Sequence, residues 1–120
     1  MATPQPVSDT QYREQIMQSS GPVLVEFWKR GCAPCTAFAP VLSQWATENP
    51  SVPVRTYEVD PSSPVRLPMW KRVRIAMTPT TILYMNGAPV MRLAGPRPIA
   101  QLRAEIAAAL ASPDVGRDVA

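Results

Sequence analysis

Histidine is absent from this 120-residue chain. That excludes an imidazole acid or base, and with it every Cys/His metal set. Cysteine occurs only twice, at Cys32 and Cys35. No uninterrupted apolar run reaches the roughly 18 residues that mark a membrane-spanning helix, so no membrane association is expected. Residues 1–20 hold no apolar segment of the secretory-signal kind, and a cytoplasmic location is the default expectation. Strong charge of either sign is lacking too: the formal net charge is +3 and the pI about 9.2. Nucleic-acid binding would call for a basic stripe with interleaved aromatics. The densest basic cluster, Lys71, Arg72 and Arg74, is short and reads as a solvated helix face.

Proline is plentiful, with 15 residues, against a usual share of about 5%. Hydrophobic runs separate the prolines, which points to rigid loops rather than disorder. Apolar residues make up 46% of the chain, enough for one core without staples. A single domain over residues 1–120 is expected, with an ordered core at about 7–111 and a flexible polar tail at about 112–120.

Ser8 and Gln11 fit a capping box opening a helix over residues 9–19, which Gly21-Pro22 stops. Residues 23–28 form a strand apolar on both faces, hence central in its sheet, with Glu26 as the odd residue. Phe38, Val41, Leu42 and Trp45 carry helical spacing over residues 34–48, with Pro40 as an expected kink. A strand over 54–59, a short helix over 65–73 and a strand over 80–85 follow. Asn86-Gly87 signals a hairpin into a strand over 90–94, and a last helix covers 99–110. This order predicts an α/β fold: a mixed sheet of four to five strands, parallel through its crossovers and antiparallel at the hairpin, with helices on both faces.

The two cysteines stand two residues apart, between an apolar strand and a helix start. That placement suits thiol–disulfide exchange. Two other readings stay open. A permanent disulfide closing so short a loop would add only about 2 kcal/mol. A metal would need ligands from a second chain, because two thiols are half a zinc set.

Taken together, the segment Val25-Glu26-Phe27-Trp28-Lys29-Arg30-Gly31-Cys32-Ala33-Pro34-Cys35, the pair Ala39-Pro40, the later Thr78-Pro79-Thr80, the Asn86-Gly87 turn and Gly95 resemble the thioredoxin family, over residues 7–110. The resemblance implies the thioredoxin fold, a reversible Cys32–Cys35 disulfide and reduction of protein disulfides. It implies a cis-proline at Pro79 facing the dithiol, with Gly31, Ala33, Pro34, Thr78 and Pro79 forming the substrate-binding rim. It implies that Glu26 is a buried acid below Cys35 that shuttles protons, its pKa raised by burial. Trp28 would lie near the disulfide, and it and Tyr84 read as core aromatics.

Helix-start N–H groups would stabilise a Cys32 thiolate, making it the nucleophile, and the deeper Cys35 would resolve the mixed disulfide. No cofactor is expected. The expected partners are protein disulfides and a thioredoxin reductase-like electron donor, and the expected state is a monomer.

Departures from the family pattern are also legible. Gly31 stands where tryptophan is usual, Ala33 where glycine is, Glu26 where aspartate is, and Thr36 and Thr56 where lysines are. Lys29 and Arg30 add charge on the other side of the motif, and residues 60–79 look longer than usual. These changes raise two alternatives: a reductant specific to one partner and not served by a generic reductase, or a non-catalytic binding module on the same fold.

Overall fold

The computed structural model describes residues 3–113 and 118–119. Its strands are β1 (Gln5–Pro6), β2 (Pro22–Trp28), β3 (Val54–Glu58), β4 (Thr80–Met85), β5 (Ala88–Ala94) and β6 (Asp118–Val119). Its α-helices are α1 (Asp9–Tyr12), α2 (Ala33–Glu48), α3 (Met69–Arg72) and α4 (Ile99–Ala111). The strands form one sheet in the order β1-β3-β2-β4-β5-β6. β3 runs parallel to both β1 and β2, and β4 is antiparallel to β2 and β5. The mixed sheet is as expected, and a two-residue pairing at each edge brings the strand count to six.

β2 is central, as its apolar run requires. Its side chains alternate between two cores. Leu24 joins Phe38, Leu42, Trp45, Leu102 and Ile106 on the α2/α4 face. Val23, Val25 and Phe27 join Tyr12, Ile16, Met69 and Ile82 on the α1/α3 face. The hydroxyls of Tyr12 and Tyr84 hydrogen-bond to each other within that second core. Among the described residues no helix is long and apolar enough to cross a membrane.

Several local readings are refined. The Ser8–Gln11 capping box is present in both directions. Beyond Tyr12, however, the first helix widens into a π-helical turn over Arg13–Met17, closed by Gln18 N–H to the Arg13 carbonyl. The third helix is Met69–Arg72 rather than 65–73. Pro68 holds an extended conformation (ψ 156°), and the freed Met69 N–H donates to the Asp9 carboxylate at 2.6 Å. α2 carries Pro40 inside its span. Of the expected flexible tail, Asp118–Val119 pair in parallel with Arg92 and Leu93. Residues 114–117 and 120 lie outside the described residues.

Asn86 and Gly87 both have positive φ (52° and 81°), which two-residue hairpins favour. The Asn86 side chain accepts from Gly21 N–H at 2.7 Å, tying the turn to the entrance of β2. A Cβ on Gly87 would collide with the Met17 carbonyl. Replacing Gly87 with alanine should therefore destabilise the fold by about 2 kcal/mol, from strain plus clash. A chemical denaturation curve checks this, and an unchanged midpoint would show that the turn relaxes freely.

Candidate functional site

The end of β2 delivers the chain to Gly31, whose φ of +74° turns it sharply into the helix start. Cys32 is the N-cap of α2 in extended conformation, and its sulfur accepts the Cys35 N–H at 3.2 Å. Pro34 occupies the first turn, where its missing N–H leaves no helical bond unmade. Cys32 and Cys35 are joined in a disulfide. Cys32 is half-buried, whereas Cys35 is only 5% exposed.

The loop before β4 faces this pair. The Thr78–Pro79 peptide bond is cis. The Thr78 hydroxyl donates to Cys32 Sγ at 3.4 Å, and the Thr78 carbonyl lies 3.5 Å from the same sulfur. Gly31, Ala33 and Pro34 are exposed around the disulfide, Thr78 is half-buried and Pro79 is buried. Met77, which the sequence did not single out, stands 49% exposed next to Thr78.

Glu26 lies at mid-sheet, paired across to Thr56 on β3 and Thr81 on β4. Its side chain is on the α2 side, in step with Leu24. It is 4% exposed, and its Oε2 has no hydrogen-bond partner. Desolvation by burial raises its pKa to about 7. Cys35 and Glu26 share the wall of a cavity of about 520 Å³ that continues along Trp28, Ala39 and Ser43, with Lys29 and Arg30 among its lining residues. Trp28 thus lies beside the site, half-buried. Tyr84 sits in the opposite core, on the far face of the sheet from Glu26.

The charge beside the motif is smaller than the sequence suggested. Arg30 Nε pairs with Glu58 at 2.8 Å, and Asp60, its pKa held down mainly by Ser62 hydrogen bonds, also feels Arg30. Lys29 has no ion-pair partner among the described residues.

Arg97 was invisible to sequence reasoning. It is 8% exposed, donates to the carbonyls of Ala94 (3.1 Å) and Pro96 (3.2 Å), and bonds Glu105 at 3.2 Å. It stiffens the loop whose Gly95 N–H donates to the Pro79 carbonyl at 2.8 Å. No sequence pattern distinguishes it from the chain's exposed arginines.

Chemically, the arrangement is a disulfide pair with one half-buried and one recessed cysteine, donors aimed at the former and a titratable acid lining the same cavity as the latter. Comparison with known proteins agrees with this. The thioredoxin family model matches residues 3–108. A thioredoxin of Mycolicibacterium smegmatis is 38% identical over 106 residues, covering 87% of this chain and 92% of that protein. A bifunctional thioredoxin reductase/thioredoxin of Mycobacterium leprae is 34% identical over 90 residues, which are 74% of this chain and 19% of that protein. Among solved structures, Chlamydomonas reinhardtii thioredoxin f2 superposes with a TM-score of 0.77 at 21% identity, covering 92% of this chain and 98% of that one.

Proposed function

This chain belongs to the thioredoxin family and is a thiol–disulfide oxidoreductase, and from that premise we propose how its residues divide the work. In the reduced protein Cys32 is the nucleophilic thiolate. It attacks a protein disulfide, bonds to one substrate sulfur and releases the other as a thiolate. Cys35 then gives its proton to the Glu26 carboxylate and attacks Cys32 Sγ. The second substrate sulfur leaves, and the Cys32–Cys35 disulfide closes. Two electrons have passed from the dithiol to the substrate.

The observation that carries this reading is the asymmetry around the sulfurs. Cys32 Sγ receives a backbone N–H and the Thr78 hydroxyl, both of which stabilise a thiolate. Cys35 is nearly inaccessible to a protein substrate and sits by an acid poised near neutrality. Gly31, Ala33, Pro34, Thr78 and Pro79 form the surface a substrate strand would meet. The partners are protein disulfides, and the electron donor is a reductase of the kind fused to the relative from Mycobacterium leprae. The site of action is the cytoplasm, as a monomer, where reducing conditions keep the dithiol in use.

The test is reduction of insulin disulfides by the wild type and by a Cys32→Ser/Cys35→Ser variant. Dithiothreitol or a thioredoxin reductase supplies the electrons. Turnover by the wild type and none above background by the variant is the expected result. A wild type that fails with dithiothreitol would leave the binding-module reading standing. One that works with dithiothreitol but not with the reductase would point to a partner-specific reductant.

A further inference from the structure

We propose that Thr81 is a positioning residue for Glu26: its hydroxyl hydrogen-bonds the Glu26 carboxyl across the β2–β4 ladder and keeps that bond while the carboxyl takes the Cys35 proton. The inference rests on the proton-acceptor role given to Glu26 above, and adds the group that holds it.

Two buried atoms carry it. Glu26 Oε2 and Thr81 Oγ1 are both sealed from solvent, and with the disulfide closed neither has a hydrogen-bond partner. Orphaned buried polar atoms are costly and uncommon in a native fold. The two residues are direct partners in the antiparallel ladder. Both side chains are on the α2 side, in step with Leu24 and Leu83, which pair in the same ladder and belong to that core. Residues directly opposite each other have Cβ atoms about 4.5–5.5 Å apart. A hydroxyl one bond beyond Cβ and a carboxyl oxygen three bonds beyond it can meet there by side-chain rotation alone.

Thr81 has little choice of partner. Its neighbour across β5 is Leu93, and Leu83 follows it on the same face. The residue has no exposed surface, so bulk water cannot serve it. Glu26 has a second threonine opposite, Thr56 on β3, but that one is only half-buried. No charged group faces Glu26 from the packed elements. Cys35 is the one titratable side chain that α2 buries, and α4 buries none. Lys29 and Arg30 line the neighbouring cavity, with Arg30 already held by Glu58. Burial alone raises the Glu26 pKa.

A hydroxyl suits this place because it has one donor and two acceptor lone pairs. It donates to the carboxylate before the proton arrives and accepts from the carboxylic acid afterwards. The transferred proton moves from Cys35 Sγ to Glu26, and the Thr81 proton stays on its own oxygen. Hydrogen bonds to an ionised acceptor are roughly twice as strong as neutral ones. Thr81 therefore eases the ionisation that burial opposes.

The test compares Thr81→Val, which removes the hydroxyl at nearly constant shape, with Thr81→Ser, which keeps it. Glutamate side-chain carboxyls are labelled with carbon-13, and the Glu26 signal is identified by its loss in Glu26→Gln. In reduced Thr81→Val its titration midpoint should rise by roughly one pH unit. In Thr81→Ser it should stay at the wild-type value. An unmoved midpoint in Thr81→Val, or an equal rise in both variants, overturns the proposal. A threonine that only fills space would shift the urea midpoint and leave this titration in place. Stopped-flow decay of the mixed disulfide should slow about fivefold in Thr81→Val at pH 7 and match the wild type at pH 9. The reduced wild type supplies a measurement free of substitution: a slowly exchanging Thr81 hydroxyl proton with an Overhauser contact to the Glu26 Cγ protons. Lack of that contact counts against the bond. Unchanged decay in Glu26→Gln would instead strike the proton-acceptor reading, and the titration would still decide the hydrogen bond.

Discussion

Replacing Cys35 with serine should lower multiple-turnover insulin reduction by about a thousandfold while preserving the first exchange. The remaining Cys32 thiolate still attacks, because its stabilising contact from Thr78 does not involve Cys35, and the Cys35 N–H is a backbone group that serine keeps. The hydroxyl of serine cannot attack the mixed disulfide, so the reaction halts with the substrate bound covalently at Cys32. Non-reducing electrophoresis of the variant, mixed with a cell extract, would display these adducts, and reductant would release them. Cys32→Ser in the same assay should show neither turnover nor adducts. Sustained turnover by Cys35→Ser would mean that an external thiol resolves the intermediate, and Cys35 would lose its assigned role.

The second large effect concerns Glu26 and has a definite sign. The folded-state pKa is raised to about 7 from an ordinary 4.5. Between those values the native chain retains a proton that the unfolded chain gives up. Stability therefore falls as the pH rises through that window and levels off above the folded pKa. The loss amounts to about 3 kcal/mol, the free-energy equivalent of the shift. Glu26→Gln removes the buried charge and should unfold with a stability nearly independent of pH across the same range. Urea denaturation of oxidised wild type and variant at pH 5 and pH 8.5 measures the difference. Parallel curves would show that the carboxyl is solvated after all. The same substitution should slow the resolving step about a hundredfold at neutral pH, because glutamine cannot accept the Cys35 proton. Stopped-flow decay of a preformed mixed disulfide reads that step directly.

The sequence exposed the frame of the molecule well and its surfaces poorly. Strand β2 was legible because burial on both faces demands an unbroken apolar run, and Glu26 stood out for interrupting it. The Asn86-Gly87 turn was legible because few residue pairs tolerate positive φ twice in succession. The third helix was misjudged because its start is set by Pro68 together with a carboxylate from Asp9, distant in the chain. The π-helical turn after Tyr12 has no compositional signature. In the site, the spacing of the cysteines announced the chemistry. The Thr78 hydroxyl on the sulfur, the Glu58 that neutralises Arg30 and the cavity beside Cys35 arise from elements brought together only by folding. Arg97 is the extreme case, since its meaning lies wholly in the backbone carbonyls that surround it.

The two cores on opposite faces of the sheet have a consequence for how such a protein can diverge. Cys35 and Glu26 belong to the α2 side, whereas α3, into which the long proline-rich segment leads, packs on the other through Met69. The sheet works as a bulkhead between them. Insertions and substitutions can accumulate on the α3 side, altering the contours around Met77 and Thr78 where that segment rejoins the dithiol, without touching the groups that govern proton and electron movement. A lineage can thus exchange its clients while inheriting its reactivity unchanged.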